Sequence, residues 1–344
     1  MTIPPTMRAA VAVHEGGPAA LRLQTLPVPT PGPGQVLIRV ESAAVNFSDV
    51  KRRRGDAYPF PTAFPFVPGS EVAGTVTALG PGVSSVALGD AVFGLVGGQG
   101  LGGYAQFALA QANQIGPRPP MIHPDQACGL TVAGTTALLL LREAARLQPG
   151  ETVLVSAAAG GVGSFLVPLA LRLGAQAVIA LVGSPAKAAQ ARALGATATV
   201  DALAADWHEP VRALTGGRGV DVLLESGGGD ALAQGLRALA PFGRAVVYGA
   251  ASGLDARLDA AALKALFYTP APNQSLAAFN LGGWFMERPQ VAGTALHELV
   301  GLVAAGQLPA PTVQPLPLTQ AAEAHRRLES RETLGKLVLK PWVD

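Results

Sequence analysis

The 344-residue sequence predicts an α/β chain in two parts, a barrel-like all-β domain and a doubly wound domain built on a parallel sheet. Three observations carry that expectation. Short alternating strands broken by Pro/Gly clusters fill residues 7 to 120, strands and helices take turns from 151 to 248, and a turn of small residues joins the first strand and helix of that second series. A chain of this length is expected to form about two domains.

In the first part, Gln35 to Glu41 alternates, with Val36, Ile38 and Val40 on one face and Leu37, Arg39 and Glu41 on the other, so one face is buried. Glu71 to Ala78 is a second such strand. The cluster Pro29-Thr30-Pro31-Gly32-Pro33-Gly34 breaks the chain ahead of the first. The Pro-rich stretch 116 to 125 then leads into an apolar helix from about Gln126 to Arg146.

The second part opens with the β-branched strand in ETVLVS (151 to 156), the turn Ala157 to Gly163 and a helix that Pro168 should kink. The expected order continues as strand Ala177 to Val182, helix Pro185 to Leu194, strand Ala198 to Val200, helix near Leu203 to Leu214, strand Val220 to Glu225, helix Asp230 to Leu239 and strand Arg244 to Tyr248. After the Pro/Asn-rich passage 269 to 274 come a helix near Val291 to Ala305 and a last strand, Gly335 to Leu339. That strand is expected to return to the first domain, leaving a cleft between the two domains. The expected division is 1–123 for the β domain, 124–266 for the doubly wound domain and 267–344 for the return.

The turn Ala158-Ala159-Gly160-Gly161-Val162-Gly163 is a variant of G-x-G-x-x-G with alanine at the first glycine. Gly160 lets the backbone approach a diphosphate, Gly163 lets the helix pack close to the strand, and N–H groups at the helix N-terminus face the anion. An Ala/Gly turn alone is a weak signal. Its place at the head of an alternating series makes a dinucleotide site the expectation.

Composition narrows the partners. With 49% hydrophobic and 14% charged residues and a net charge of +2, the chain has no electrostatic case for nucleic acid, and a small-molecule substrate is expected. Pro, Gly, Arg or Gln interrupts each long apolar stretch before the roughly 18 to 20 residues of a membrane span, and MTIPPTMRAAVAV is too short in apolar residues for a secretory signal. A cytoplasmic protein is expected. The single cysteine, Cys128, reads as a buried small hydrophobe and excludes an intrachain disulfide; the five histidines have no metal-ligand spacing.

Nearly the whole chain resembles the medium-chain dehydrogenase/reductases, and among them the zinc-independent quinone oxidoreductases. The residues that carry the resemblance are Ala44-Val45-Asn46-Phe47-Ser48-Asp49, Pro68-Gly69-Ser70-Glu71-Val72-Ala73-Gly74, Gly89-Asp90-Ala91-Val92, Ala157 to Gly163 and Gly335-Lys336-Leu337-Val338-Leu339. The resemblance implies a GroES-like β-barrel domain and a Rossmann domain. Zinc-dependent members carry a cysteine where this chain has Asn46, a histidine where it has Ser70, and a four-cysteine lobe with no counterpart here. Without zinc to lower an alcohol's pKa, hydride delivery from reduced nicotinamide to a quinone or an α,β-unsaturated carbonyl is the easier chemistry.

NAD-preferring sites place an acid at the end of the second strand, where this chain reads Leu181-Val182-Gly183-Ser184-Pro185-Ala186-Lys187. Gly183 leaves room, and Ser184 and Lys187 suit a 2′-phosphate, so NADPH is the expected cofactor. Ser184 as a helix N-cap and Lys187 as a solvated lysine are the plain alternatives, and relatives have a tyrosine at this phosphate where the chain has Ala202. The resemblance puts Asn46 near the nicotinamide ribose and the substrate oxygen, Thr136 at the carboxamide side, and Tyr58 at the border of the substrate pocket. The alternatives are an Asx turn, a threonine bonded to its own helix, and a packed loop aromatic.

The candidate set is then Asn46 and Tyr58 as catalytic residues, with Asn46, Thr136, Ala159, Gly160, Gly161, Val162, Gly163, Ser184, Lys187, Ser226, Tyr248, Gly249, Asn280, Leu281 and Lys336 on the cofactor and no metal. Arg52-Arg53-Arg54 reads as a solvated charge run with one member near the cleft mouth. Asp49 is a proton-donor candidate whose plainer role is structural. Loops 56 to 66 and 270 to 284 would wall the acceptor pocket.

The expected activity is metal-free, NADPH-dependent reduction of a quinone or enone. An enoyl-thioester (CoA or carrier-protein) reductase is the alternative of the same class, and a non-catalytic NADPH-binding sensor or structural protein that of another. A homodimer is the family habit, with Arg244 to Tyr248 expected at the pairing edge.

Overall fold

The computed structural model describes residues 2–98, 100–251 and 273–344. Its contacts divide the chain into one unit of Met1–Val132 with Ala310–Asp344 and a second of Ala133–Pro309. The expected division differs at both joins. Residues 124–132 fold with the first unit. Of the segment expected to return, only 310–344 does so, because Ser275–Ala278 joins the second unit's sheet and helix Pro289–Ala304 packs there.

In the first unit β1 (Thr6–Ala12) and β2 (Leu21–Pro27) form an antiparallel pair. A larger sheet has β3 (Gln35–Ala44) at its centre, paired antiparallel with β4 (Glu71–Leu79) and with β6 (Phe107–Gln111). Strand β5 (Ala91–Leu95) lies between β4 and β7 (Ile115–Pro117). Val36, Ile38 and Val40 are all buried in the core with Val72, Val76, Val92 and Tyr104, as their alternation requires.

The second unit has a six-stranded sheet, all of whose pairings are parallel. Its strands are β8 (Thr152–Ser156), β9 (Ala177–Val182), β10 (Ala198–Asp201), β11 (Val220–Glu225), β12 (Leu239–Val247) and β13 (Ser275–Ala278). The spatial order is β10-β9-β8-β11-β12-β13, the 3-2-1-4-5-6 order of the doubly wound fold. Strand order therefore reverses between β8 and β11. Back in the first unit, β14 (Val313–Pro317) runs parallel to β15 (Lys336–Lys340), and β15 pairs antiparallel with the end of β3.

Four local expectations change. The long apolar helix begins at Pro124, capped by the His123 side chain, and is interrupted by π-turns at Leu130–Gly134 and Leu140–Ala144. At 21 residues, with an 18-residue window of mean hydropathy 1.2, Pro124–Ala144 is long and apolar enough to cross a membrane, contrary to the expectation that no stretch would be; 78% of that window is buried in the fold. The helix expected from Leu203 starts only at His208, since Pro210 is tolerated in a first turn and not in an interior. Finally, Arg244–Val247 is not an edge: β13 pairs with it residue for residue, so the dimer contact expected there is already filled.

Candidate active site

The dinucleotide turn is built locally. Strand β8 ends at Ser156, Ala157 takes a left-handed φ of 48°, and the Gly160 N–H closes a turn onto the Ala157 carbonyl at 2.8 Å. Helix Gly163–Arg172 follows directly and keeps its ten residues despite Pro168. A Cβ at Gly163 would lie 2.6 Å from the Ala158 Cα and collide with the Ala157 carbonyl, so the close approach of helix to strand needs glycine. From 157 to 161 no side chain extends beyond a methyl group. That leaves the backbone open at a helix N-terminus, which fits a diphosphate.

The turn stands at the switch point, where β8 and β11 are neighbours. The Ser226 N–H donates to the Ser156 Oγ at 2.8 Å, and the two hydroxyls are 3.2 Å apart, so the strand ends are tied side chain to backbone. The Glu225 carboxylate accepts the N–H groups of Gly227 and Gly228. Tyr248 donates its N–H to the Glu225 carbonyl at 2.9 Å, and a Cβ at Gly249 would meet the Ser226 carbonyl at 2.9 Å. Ser184 caps helix Pro185–Ala193 by accepting the Lys187 N–H at 3.4 Å, so the plain capping role is present. Asn280 caps Leu281–Glu287 in the same way and is exposed; Thr136 is buried next to the first π-turn.

A different construction surrounds Asn46 in the first unit. Asn46 precedes helix Phe47–Arg54, and its N–H donates to the Asp49 carboxylate at 2.8 Å. Asn46 and Asp49 form a capping box at the start of that helix, and the Asn46 amide also has partners outside it. The amide Nδ2 donates to Glu71 at 2.9 Å and to the Ser70 Oγ at 3.3 Å, while Oδ1 accepts from the Lys336 ammonium. Lys336 also pairs with Glu71 at 3.1 Å, and the other Glu71 oxygen accepts the Val132 N–H at 2.8 Å. Glu71 is 0% exposed and Lys336 5%, so this ion pair sits inside the protein. Lys336, expected on the cofactor, directs its ammonium at Asn46 and Glu71. Glu71 was visible only as part of a family marker, although an acid at the head of an apolar strand is itself a signal of a buried partner.

Asp49 is structural in its bonding and unusual in its titration. It accepts the N–H groups of Asn46 and Gly69 and the Tyr104 hydroxyl, which lies 3.1 Å from both Asp49 and the His325 Nε2. Burial raises the Asp49 pKa to about 6, against the pull of these donors and the Lys336 charge. Burial, with Arg53 nearby, holds His325 down to about 3.

The arginine run is not a solvated face. Arg52 is buried with its guanidinium 5.0 Å from the Tyr58 ring centroid and its Nε donating to Thr62 at 2.8 Å; Arg53, also buried, pairs with Glu329 at 2.7 Å. Only Arg54 is exposed. Tyr58 is half-buried, and desolvation together with the Asp49 charge raises its pKa, so the phenol keeps its proton. The structure thus brings Asn46, Ser70, Glu71 and Lys336 together in one unit, and the turn, Ser226, Tyr248 and Gly249 in the other. Part of the expected acceptor loop, 270–272, lies outside the described residues.

Among the described residues no three His, Cys, Asp or Glu side chains are grouped to hold a metal ion. Residues 32–120 match the alcohol dehydrogenase GroES-like domain model, and 161–286 match the zinc-binding dehydrogenase model. A 2-haloacrylate reductase from Burkholderia sp. is 36% identical, over 97% of this chain and 98% of its own length. A quinone oxidoreductase from Pseudomonas aeruginosa is 34% identical, over 95% and 97%. The crystal structure of Escherichia coli quinone oxidoreductase complexed with NADPH superposes with a TM-score of 0.87 at 30% identity, covering 98% of this chain and all of that one.

Proposed function

This chain belongs to the medium-chain dehydrogenase/reductases of the quinone oxidoreductase type, and we propose that it is an NADPH-dependent reductase of electron-poor acceptors, a quinone or an α,β-unsaturated carbonyl compound. The observation that carries the proposal is the 3-2-1-4-5-6 parallel sheet with its small-residue turn at the switch point, the place where doubly wound folds bind dinucleotides. Residues 157 to 163 would hold the pyrophosphate. Ser184 and Lys187 would take the 2′-phosphate, with Gly183 leaving room beside them. Thr136, Ser226, Tyr248, Gly249, Asn280 and Leu281 are proposed along the remainder of the cofactor.

Reduced nicotinamide, when bound, supplies the hydride. The protein's part is to position the acceptor and to offer hydrogen-bond donors to the negative charge that develops on it. Tyr58 suits that task because its raised pKa keeps the hydroxyl protonated at neutral pH. Asn46 and Ser70, where zinc-dependent relatives place metal ligands, are bonded to one another, and the reaction is proposed to proceed without metal. The names of the relatives favour the acceptor class, since 2-haloacrylates and quinones are both conjugated and electron-poor.

The test is NADPH oxidation, followed at 340 nm after chelator treatment, with 9,10-phenanthrenequinone, 2-chloroacrylate and crotonyl-CoA. Turnover with the first or second is the expected result. Turnover confined to crotonyl-CoA would move the assignment to enoyl thioesters, and NADPH binding without oxidation of any would leave a non-catalytic binder. We place self-association at the outer edge of β13, which pairs with no described strand on that side; light scattering at the mass of one chain would refute a dimer.

A further inference from the structure

Asn46 is held by an ion pair whose members, Glu71 and Lys336, stand 25 and 290 residues away from it in the sequence. Its Oδ1 faces the Lys336 ammonium and its Nδ2 faces the Glu71 carboxylate at 2.9 Å. An amide turned by 180° would put NH2 against ammonium and C=O against carboxylate, so the two charges select one orientation. Glu71 is fixed in turn. One of its oxygens receives Asn46 and Lys336, and the other receives the Val132 N–H at 2.8 Å.

Removing two charges from water costs several kcal/mol per ion, and a well-packed apolar pair of equal volume is often as stable. Fold stability alone therefore does not explain a lysine and a glutamate that are 5% and 0% exposed. What the pair does supply is an oriented amide. Nδ2 is directed at Glu71 and Ser70 and Oδ1 at Lys336, so which end of the amide faces a ligand is fixed by the pair.

We propose that Lys336 and Glu71 are positioning residues for the reductase reaction, acting through Asn46 by locking its amide in the one orientation, Oδ1 beside the Lys336 cation and Nδ2 toward Glu71 and Ser70, in which it meets the bound reactants. The inference rests on the reading of Asn46 as a residue that touches those reactants. It gives Lys336 a role through Asn46 and gives Glu71 a role beyond its place in a strand.

The test is a double-mutant cycle on the full chain with 9,10-phenanthrenequinone at saturating NADPH, measuring kcat, KM, the NADPH Kd and Tm for K336M, N46A and K336M/N46A. Each single variant is expected to lose about tenfold or more in kcat, with the NADPH Kd changed less than about threefold, and the double variant to be no worse than the poorer single. K336M leaves the Glu71 carboxylate without its cation; if it does not fold, K336M/E71Q removes both charges and takes its place in the cycle. A double variant that loses the product of the two single effects would overturn the proposal, as would a K336M with lowered Tm and wild-type kcat. An N46A variant with wild-type kcat would instead show that the reading of Asn46 was wrong, and the proposal would fall with it.

Discussion

The two units build their candidate functional residues in opposite ways. On the Rossmann side, the turn at 157 to 163 lies in one contiguous stretch, and its function depends on side chains that are missing. On the GroES-like side, Asn46, Glu71 and Lys336 come from the end of β3, the head of β4 and the head of β15, and each uses its polar atoms on the others. A backbone cradle can be written locally because the strand, turn and helix that shape it are consecutive. An oriented side chain in a low-dielectric interior needs partners of fixed charge, which the fold gathers from wherever the sheet brings strands together.

That contrast is broken most severely at Gly163. Gly163→Val would push a side chain into the Ala157 carbonyl and the Ala158 backbone; we expect loss of NADPH binding by more than about a hundredfold, or of soluble protein, measured by fluorescence titration and yield. A variant that still binds NADPH tightly would show that the turn does not set the approach of helix to strand.

The next effect is on stability against pH. Because Asp49 is raised to about 6, the folded chain holds a proton between about pH 4 and 6 that the unfolded chain has lost. Its contribution makes stability fall as pH rises through that window, by ~3 kcal/mol. His325, held down to about 3, refuses a proton that the unfolded chain accepts below about 6.5, so its contribution makes stability rise with pH from about 3 to 6.5, by roughly 5 kcal/mol. The two slopes oppose each other through the shared Tyr104 hydroxyl. Asp49→Asn should therefore steepen the gain in urea midpoint from pH 4 to 7, and His325→Gln should abolish or reverse it. Identical profiles for all three proteins would refute this assignment.

Smaller effects sharpen the comparison. Tyr58→Phe is expected to cut kcat about tenfold with little change in NADPH Kd, as befits one hydrogen-bond donor at the acceptor. Lys187→Ala should weaken NADPH several-fold while sparing NADH, read from the ratio of their kcat/KM values, since one half-buried charge at a solvent-facing helix contributes modestly. Equal losses for both cofactors would remove Lys187 from the 2′-phosphate.

How much of this was legible in the sequence follows the same division. Although β12 begins at Leu239, five residues ahead of the expected Arg244, the strand-turn-helix and the strands Ala177–Val182 and Val220–Glu225 were readable to the residue, because their apolar runs and small-residue turns are local signals. β13 was not, since Ser275–Ala278 is too short to show a period, and missing it made β12 look like an edge. Asn46 was legible as a position and not as a state. Its partners stand 25 and 290 residues away, and only the antiparallel meeting of β15 with β3 reveals that Lys336 faces it. Arg52 and Arg53 read as a surface run because charge alone does not announce the tyrosine and the glutamate that cover them.

One unit is proposed to bind the dinucleotide and the other, through Asn46, to orient the acceptor. The most direct test is to measure, on one preparation of Asn46→Ala, both the NADPH Kd and kcat with a quinone. The expected result is a Kd within about threefold of wild type beside a kcat lowered about tenfold or more. A Kd that rises in proportion to the loss of kcat/KM, with kcat unchanged, would contradict it.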